Sequence, residues 1–360
     1  MGRLEVGSEF LLMKNTSTPQ SPATPLLKVD DLHVEFETYG GIVKAVRGVS
    51  FSVDRGKTLA IVGESGCGKS VTVQSFMGLL PMPPGRITRG KAWFEGVDIL
   101  RQKVIGGEDI RGAKIGMIFQ DPMSSLNPTM TIGDQIAETL VVHRGMSRKQ
   151  ARQRAVELLH KTHIPEAERR AAQYPFTFSG GMLQRAMIAM AIACEPAILI
   201  ADEPTTALDV TIQSQILDLL RELQRTTGMA IILITHNLGV VARLADDVFV
   251  MYAGQIVEEG TADDVFYRSA HPYTLGLRAA MPGNDPERKH GLKPIEGTPP
   301  DMFDPPKGCS YFARCPYAMR VCENNDPPPF QQNAGHSARC WLHHKDAPNV
   351  ASELFRGQTT

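Results

Sequence analysis

The sequence carries almost no net charge. Its 38 Lys and Arg stand against 39 Asp and Glu over 360 residues, a balance of -1. Nucleic-acid binding driven by bulk positive charge is excluded on that ground. Long hydrophobic runs are missing too. The longest apolar stretches, such as AMIAMAIA at 186–193, fall well short of the roughly 20 residues that cross a bilayer. No signal-peptide pattern opens the chain. The expected location is therefore cytoplasmic, with any membrane role exercised through partners. Cysteine is sparse: of six, only Cys67 and Cys194 precede residue 309. Both read as reduced thiols.

What is present is ordinary for a globular chain: 42% hydrophobic and 21% charged residues. The length suits two domains, or one large domain with an appendage. GSEF at 7–10 matches two adjacent restriction sites read in frame, so residues 1–25 read as a tag remnant and a disordered lead-in. Residues 26–62 alternate in the strand manner, and a helix is expected from Lys69 to about Leu80. KIGMIFQ at 114–120 reads as a buried strand, and 131–172 as a helical insertion. A helix from Gly180, a strand at 197–202, a helix over 210–227 and a strand at 230–236 follow. Strands alternating with helices predict a largely parallel, covered sheet. Twelve of the 25 prolines lie after Met281, which ends that alternation and suggests a boundary at 282.

VGESGCGKS at 62–70 leaves a predicted strand and enters a predicted helix. Gly63, Gly68, Lys69 and Ser70 fit the phosphate-loop spacing. With so little side chain in the way, backbone N–H groups from Gly66 to Ser70 can turn inward around phosphate oxygens, aided by the helix N-terminus. Lys69 reaches the outer phosphates and the Ser70 hydroxyl suits Mg²⁺. Ser65, Cys67 and Val71 complete the candidate nucleotide-binding stretch. AILIADEP then supplies acids at a strand end: Asp202 for the metal and Glu203 as general base. Taken alone, that pair equally suits a helix cap. FSGGM places Ser179, Gly180 and Gly181 at the start of another helix, a second anion-ready terminus. One nucleotide does not need both, so this loop makes sense as serving a nucleotide held by another copy.

The order of these segments over about 26–270 resembles the nucleotide-binding subunits of ATP-binding cassette (ABC) transporters: GESGCGKS, Gln120 in IFQDP, FSGGM, LIADEP, ALD at 207–209 and His236 in ITHN. The resemblance implies an α/β fold, an ABC-type P-loop NTPase with a RecA-like core over 26–281. It adds an antiparallel β subdomain and a helical subdomain at about 122–195. It also implies that Gln120 senses metal and water, that Asp209 stiffens the contact between facing monomers and that His236 binds the γ-phosphate. An aromatic stacking on adenine is assigned to Tyr39, with Phe36 second. Two positions depart from the pattern: Phe178 stands where leucine is common and Met182 where glutamine is common.

GESGCGKSV, IFQDPMSSLNP, LIADEPTTALDVTIQSQI, VMYAGQIVEEG and HPYTLGL are similar to the ATPase subunits of oligopeptide and dipeptide importers. YPFTFSGG lacks the His-Glu pair often found before the signature. This resemblance implies an ATPase on the cytoplasmic face of the membrane. Its partners would be two transmembrane permease subunits, a homologous second ATPase subunit (a heterodimer) and an extracytoplasmic peptide-binding protein. Nickel, glutathione or another small solute is the rival cargo. A soluble cassette ATPase of DNA repair or translation is the rival class, although such chains normally carry two cassettes or a coiled coil. In the Pro-rich extension over 282–360, Cys309, Cys315, Cys322 and Cys340 are spaced C-x5-C-x6-C-x17-C. Three readings stand: a [4Fe–4S] cluster, structural Zn²⁺ without the usual C-x-x-C knuckles, or unconnected thiols. The resemblance favours the cluster.

Overall fold

The computed structural model describes residues 24–101, 104–105, 108–206, 208–281 and 294–348. Most of the expected tag and lead-in, Ala207 of the ALD segment and the boundary at 282 lie outside the described residues.

The alternating N-terminal stretch forms two long strands, β1 (Leu27–Thr38) and β2 (Gly41–Val53), joined by a tight turn. They pair antiparallel from Leu27 opposite Val53 to Thr38 opposite Gly41. After β3 (Thr58–Val62) and α1 (Lys69–Met77) come β4 (Gly85–Phe94) and β5 (Val97–Asp98). They complete a four-stranded sheet in the order β2-β1-β4-β5. Helix α1 stops three residues short of the expected Leu80, because Gly78 turns left-handed at φ 65 and caps it. A small hairpin, β6 (Val104–Ile105) and β7 (Glu108–Asp109), leads into β8 (Ile115–Ile118).

The expected helical insertion is a group of separate helices: α2 (Pro122–Ser125), α3 (Ile132–Arg144), α4 (Arg148–Lys161), α5 (Ala167–Ala171) and α6 (Gly180–Ala191). Ser147 opens α4 with a capping box to Gln150, and left-handed Gly145 closes α3. The chain then returns to the core through β9 (Ile198–Asp202), α7 (Val210–Thr227), β10 (Ala230–Thr235), α8 (Leu238–Leu244) and β11 (Asp247–Tyr252). It continues through β12 (Gln255–Thr261), α9 (Ala262–Tyr267) and α10 (Pro272–Ala279).

Strands β8, β9, β10, β3 and β11 lie side by side and parallel. Every residue of β3, β9 and β10 is buried, as a sheet covered on both faces requires. Alternate residues feed different cores. Leu59, Ile61, Ile200 and Ile232 pack with the antiparallel sheet and α1; Ala60, Val62, Leu199 and Leu233 pack with the helices. In register, Val62 lies opposite Thr235 and Asp202 opposite Ile234, so the strands end together.

The C-terminal extension breaks the strand–helix alternation, but it does not stand apart. After α11 (Arg320–Asn324), β13 (Phe330–Asn333) and β14 (His336–Ala338) form a hairpin on the main sheet. Glu258 and Glu259 of β12 pair with Ala338 and Ser337. The joint is polar and buried: His336 Nε2 lies 2.9 Å from Glu258 Oε1, and that glutamate also accepts from the N–H groups of Ala270 and His271.

Candidate active site

Sheet order fixes which loops meet. The phosphate loop leaves β3, His236 follows β10, Glu203 follows β9 and Gln120 follows β8, all at the carboxyl ends of parallel strands. Because β9 lies between β8 and β10, Glu203 is flanked on both sides. Gln120 Nε2 donates to Glu203 Oε2 at 3.2 Å, and His236 Nδ1 lies 3.3 Å from Oε1. Thr206, which sequence reasoning passed over, donates its hydroxyl to Oε2 at 2.8 Å. Its only signal was its place in DEPTTALD. Glu203 itself sits at φ 46, a left-handed conformation costly for a residue with a Cβ, and such strain clusters at functional sites.

The surroundings shift the paired acids in opposite directions. Burial opposes ionisation of Glu203, but bonds from Thr206 and His236, with nearby positive charge, outweigh it and hold the carboxyl below the usual range. At neutral pH it is a carboxylate able to accept a proton. Burial pushes Asp202 upward, against the hydrogen bond from Ser70. Ser70 Oγ donates to Asp202 Oδ1 at 2.9 Å, so the two oxygens assigned to Mg²⁺ are already adjacent.

In the phosphate loop, steric contact dictates glycine at two positions. A Cβ at Gly63 would lie 2.2 Å from the Met251 carbonyl oxygen, and one at Gly68, where φ is 102, would lie 2.4 Å from that of Ala45. Lys69 is buried, and its ammonium donates to the carbonyls of Gly63 at 2.8 Å and Glu64 at 2.9 Å. Ser65 and Gly66 are exposed, Cys67 is buried with its thiol pushed up by desolvation, and Val71 packs inward. Ser179 caps α6 by accepting from Met182 N–H at 3.4 Å; Ser179 and Gly180 are exposed and Gly181 is half-buried. Asp209 caps α7 through Ile212 N–H at 3.0 Å.

Two family models match this chain: the ABC transporter over residues 46–206, and the oligopeptide/dipeptide transporter C-terminal region over 257–322. The sequence is 55% identical over 327 residues to the oligopeptide transport ATP-binding protein OppD of Bacillus subtilis (strain 168), covering 91% of each chain. The chain belongs to the ABC transporter family. The dipeptide transport ATP-binding protein DppD of the same organism is also 55% identical, over 90% of this chain and 97% of that one. Among solved structures, a dimer of the ATP-binding cassette MJ0796 in a post-hydrolysis state bound to ADP and Pi is 28% identical. It superposes with a TM-score of 0.58 over 66% of this chain and 98% of that chain.

As an ABC protein, this chain shows where the two signature departures sit. Phe178 is buried, with the Arg170 guanidinium 5.9 Å from its ring centroid, and Met182 packs against the helical core. Of the two aromatics considered for adenine, Phe36 packs inward against Gly85 while Tyr39 stands fully exposed at the β1–β2 turn. Phe119 and Met123, near Gln120 in the chain, are exposed; ahead of α6, Tyr174 and Phe176 stack with centroids 5.7 Å apart. A concavity of about 500 Å³ on the helical part is lined by Tyr174, Met130, Val142, Arg148 and Arg152.

The four tail cysteines converge. Cys309, Cys315, Cys322 and Cys340 line one cavity of about 10 Å³, and none of its lining residues is a carboxylate. Burial pushes the Cys309 thiol up to about 12 and Cys315 to about 11, and raises Cys340 as well. The donor chemistry suits a thiolate-bound metal group. The space does not admit one as the side chains stand: among the described residues, no three His, Cys, Asp or Glu groups are placed around a metal position. A group bound there requires the thiols to rotate outward and lose their protons.

Proposed function

We propose that the chain is the ATP-hydrolysing subunit that energises peptide import by a multi-subunit ABC transporter. The observation that carries this is Glu203, an ionised and buried carboxylate held by Gln120, Thr206 and His236 beside the Ser70–Asp202 pair. The phosphate loop from Gly63 to Val71 holds ATP, with Tyr39 against the base. Ser70, Asp202 and Gln120 hold Mg²⁺, which when bound neutralises charge on the outer phosphates. Glu203 takes a proton from water as the water oxygen bonds to the γ-phosphorus. The bond from that phosphorus to the bridging oxygen breaks, and ADP and phosphate result. His236 steadies the γ-phosphate. Ser179, Gly180 and Gly181 close over the nucleotide of a homologous second ATPase subunit.

No helix among the described residues is long and apolar enough to cross a membrane. The exposed aromatics and the concavity on the helical part suit docking of two permease subunits, which supports a peripheral position on the cytoplasmic face. An extracytoplasmic binding protein selects the peptide. With their side chains rotated apart, Cys309, Cys315, Cys322 and Cys340 would hold a [4Fe–4S] cluster, or Zn²⁺, which would supply a four-way cross-link for the Pro-rich tail. The test is anaerobic purification of the assembled transporter, with metal analysis, visible absorption, ATP turnover and peptide uptake. Glu203→Gln should keep MgATP binding and lose turnover by about 1,000-fold; brisk turnover in that variant would remove Glu203 as the base. Metal-free tails with full activity would remove the cluster.

A further inference from the structure

Glu64, the second residue of the phosphate-loop pattern, is held at every polar atom it has. Its N–H donates to the Tyr273 hydroxyl at 2.9 Å, its carbonyl accepts the Lys69 ammonium at 2.9 Å, and its carboxylate takes Arg314 in a fork, at 2.6 and 3.0 Å. Arg314 comes from the C-terminal extension, 250 residues away, and only 4% of its side chain is exposed. Its remaining N–H groups are also occupied: Nε by the Glu296 carbonyl at 3.0 Å, Nη1 by the Tyr252 hydroxyl at 3.3 Å and Nη2 by the Ile295 carbonyl at 3.2 Å. A guanidinium with all its donors engaged has one orientation available. The wall behind it is rigid, since Tyr252, Tyr273 and Tyr311 pack with ring centroids 4.6 to 5.4 Å apart.

We propose that Arg314 is a positioning residue for ATP binding: through Glu64 it sets where the Lys69 ammonium and the phosphate-loop amides stand before nucleotide arrives. The inference deepens the nucleotide-site assignment above and rests on it. Glu64 N–H is committed to Tyr273 and its carboxylate to Arg314, so the residue acts through the loop and not on the ligand. Its carbonyl is one of two that hold the ammonium expected at the outer phosphates. A loop of glycines is cheap to disorder; a forked ion pair on one side and a tyrosine on the other remove that freedom in advance of binding. A staple that only stabilised the fold would have no need to end on the residue that carries the lysine's acceptor.

The test measures MgATP dissociation constants and steady-state turnover on the full chain and the assembled transporter for Arg314→Met, Glu64→Gln, the double variant and Lys69→Ala. Either single change should weaken MgATP binding about 10-fold and raise KM likewise, with kcat within about twofold. The double variant should be no worse than the worse single one, because one pair is lost. Arg314→Lys should recover only part of the affinity, since an ammonium cannot fork. Lys69→Ala separates the readings: if it binds MgATP normally, the site assignment itself fails. If Lys69→Ala abolishes binding while the other variants stay within twofold of wild type, the positioning role is overturned. So it is if the two single effects add. Should Arg314→Met not fold, Glu64→Gln decides alone, as it keeps an acceptor for the buried guanidinium.

Discussion

The N-termini of α1 and α6 offer the same chemistry, a fan of backbone amides, in opposite states of completion. At α1 every neighbour is supplied by the chain itself. Gly68 presses on Ala45, buried Lys69 is bonded to two carbonyls, and Ser70 already meets Asp202. At α6, Ser179 turns inward to cap its own helix and Gly180 is exposed, with only the apolar Leu208 side chain in van der Waals reach of a Cβ there. A finished terminus binds unaided; an open one waits for a ligand presented by another molecule. On the function proposed above, the contrast is the physical reason for two such ATPase subunits to work as a pair.

Three substitutions would break or sharpen this contrast. The largest effect belongs to Gly180→Glu. A Cβ there meets only Leu208, at an ordinary 3.7 Å, so folding survives while a negative charge fills the open terminus. Turnover of the assembled transporter should fall about 100-fold, with MgATP binding to the isolated chain within twofold; unaffected turnover would show that α6 serves no nucleotide. Next is Gly68→Ala, which forces a methyl into the Ala45 carbonyl. Thermal or urea unfolding should register a loss of about 2–3 kcal/mol, whereas Gly66→Ala, with open space around it, should cost about 1 kcal/mol from φ alone. Equal costs at the two positions would mean that the loop is not held as described.

The smallest effect lies away from both termini. Burial opposes ionisation of Asp264, but bonds from Thr261, Arg268 and Asn333 of β13 outweigh it and hold the acid well below its usual range. Its contribution is therefore present above pH ~4, where the unfolded acid is ionised, and is lost as pH falls further. Asp264→Asn should cost about 1 kcal/mol at pH 7, and the difference from wild type should shrink in acid. A difference that grew in acid would reverse the assignment.

Much of the site was legible because its residues act locally. The phosphate loop, Asp202, Glu203 and Ser179 each sit at a strand end or helix start that hydrophobic period and glycine placement mark out. Gln120 and His236 carried no such mark in isolation and were placed by resemblance. Their contact with Glu203 depends on β8 and β10 flanking β9, which is a matter of strand order rather than of neighbouring residues. Thr206 was missed because a threonine near a turn has many uses. Glu64 and Arg314 were missed because no local pattern links residues 250 positions apart. The extension's hairpin was hidden by proline content: Pro327, Pro328 and Pro329 argue against regular structure, yet they stop just before β13 begins.

That hairpin also decides how the sheet ends. Without it, the outermost strand would be β12, seven residues of which only Thr261 is exposed, with a row of unmatched amides and carbonyls along its outer side. Such a rim invites intermolecular pairing. In its place the molecule presents Gln331, Gln332 and Asn333, all exposed and polar, behind a proline run that cannot donate to a neighbouring strand. The tail thus leaves the molecule a rim that resists zipping onto the edge strand of a neighbour.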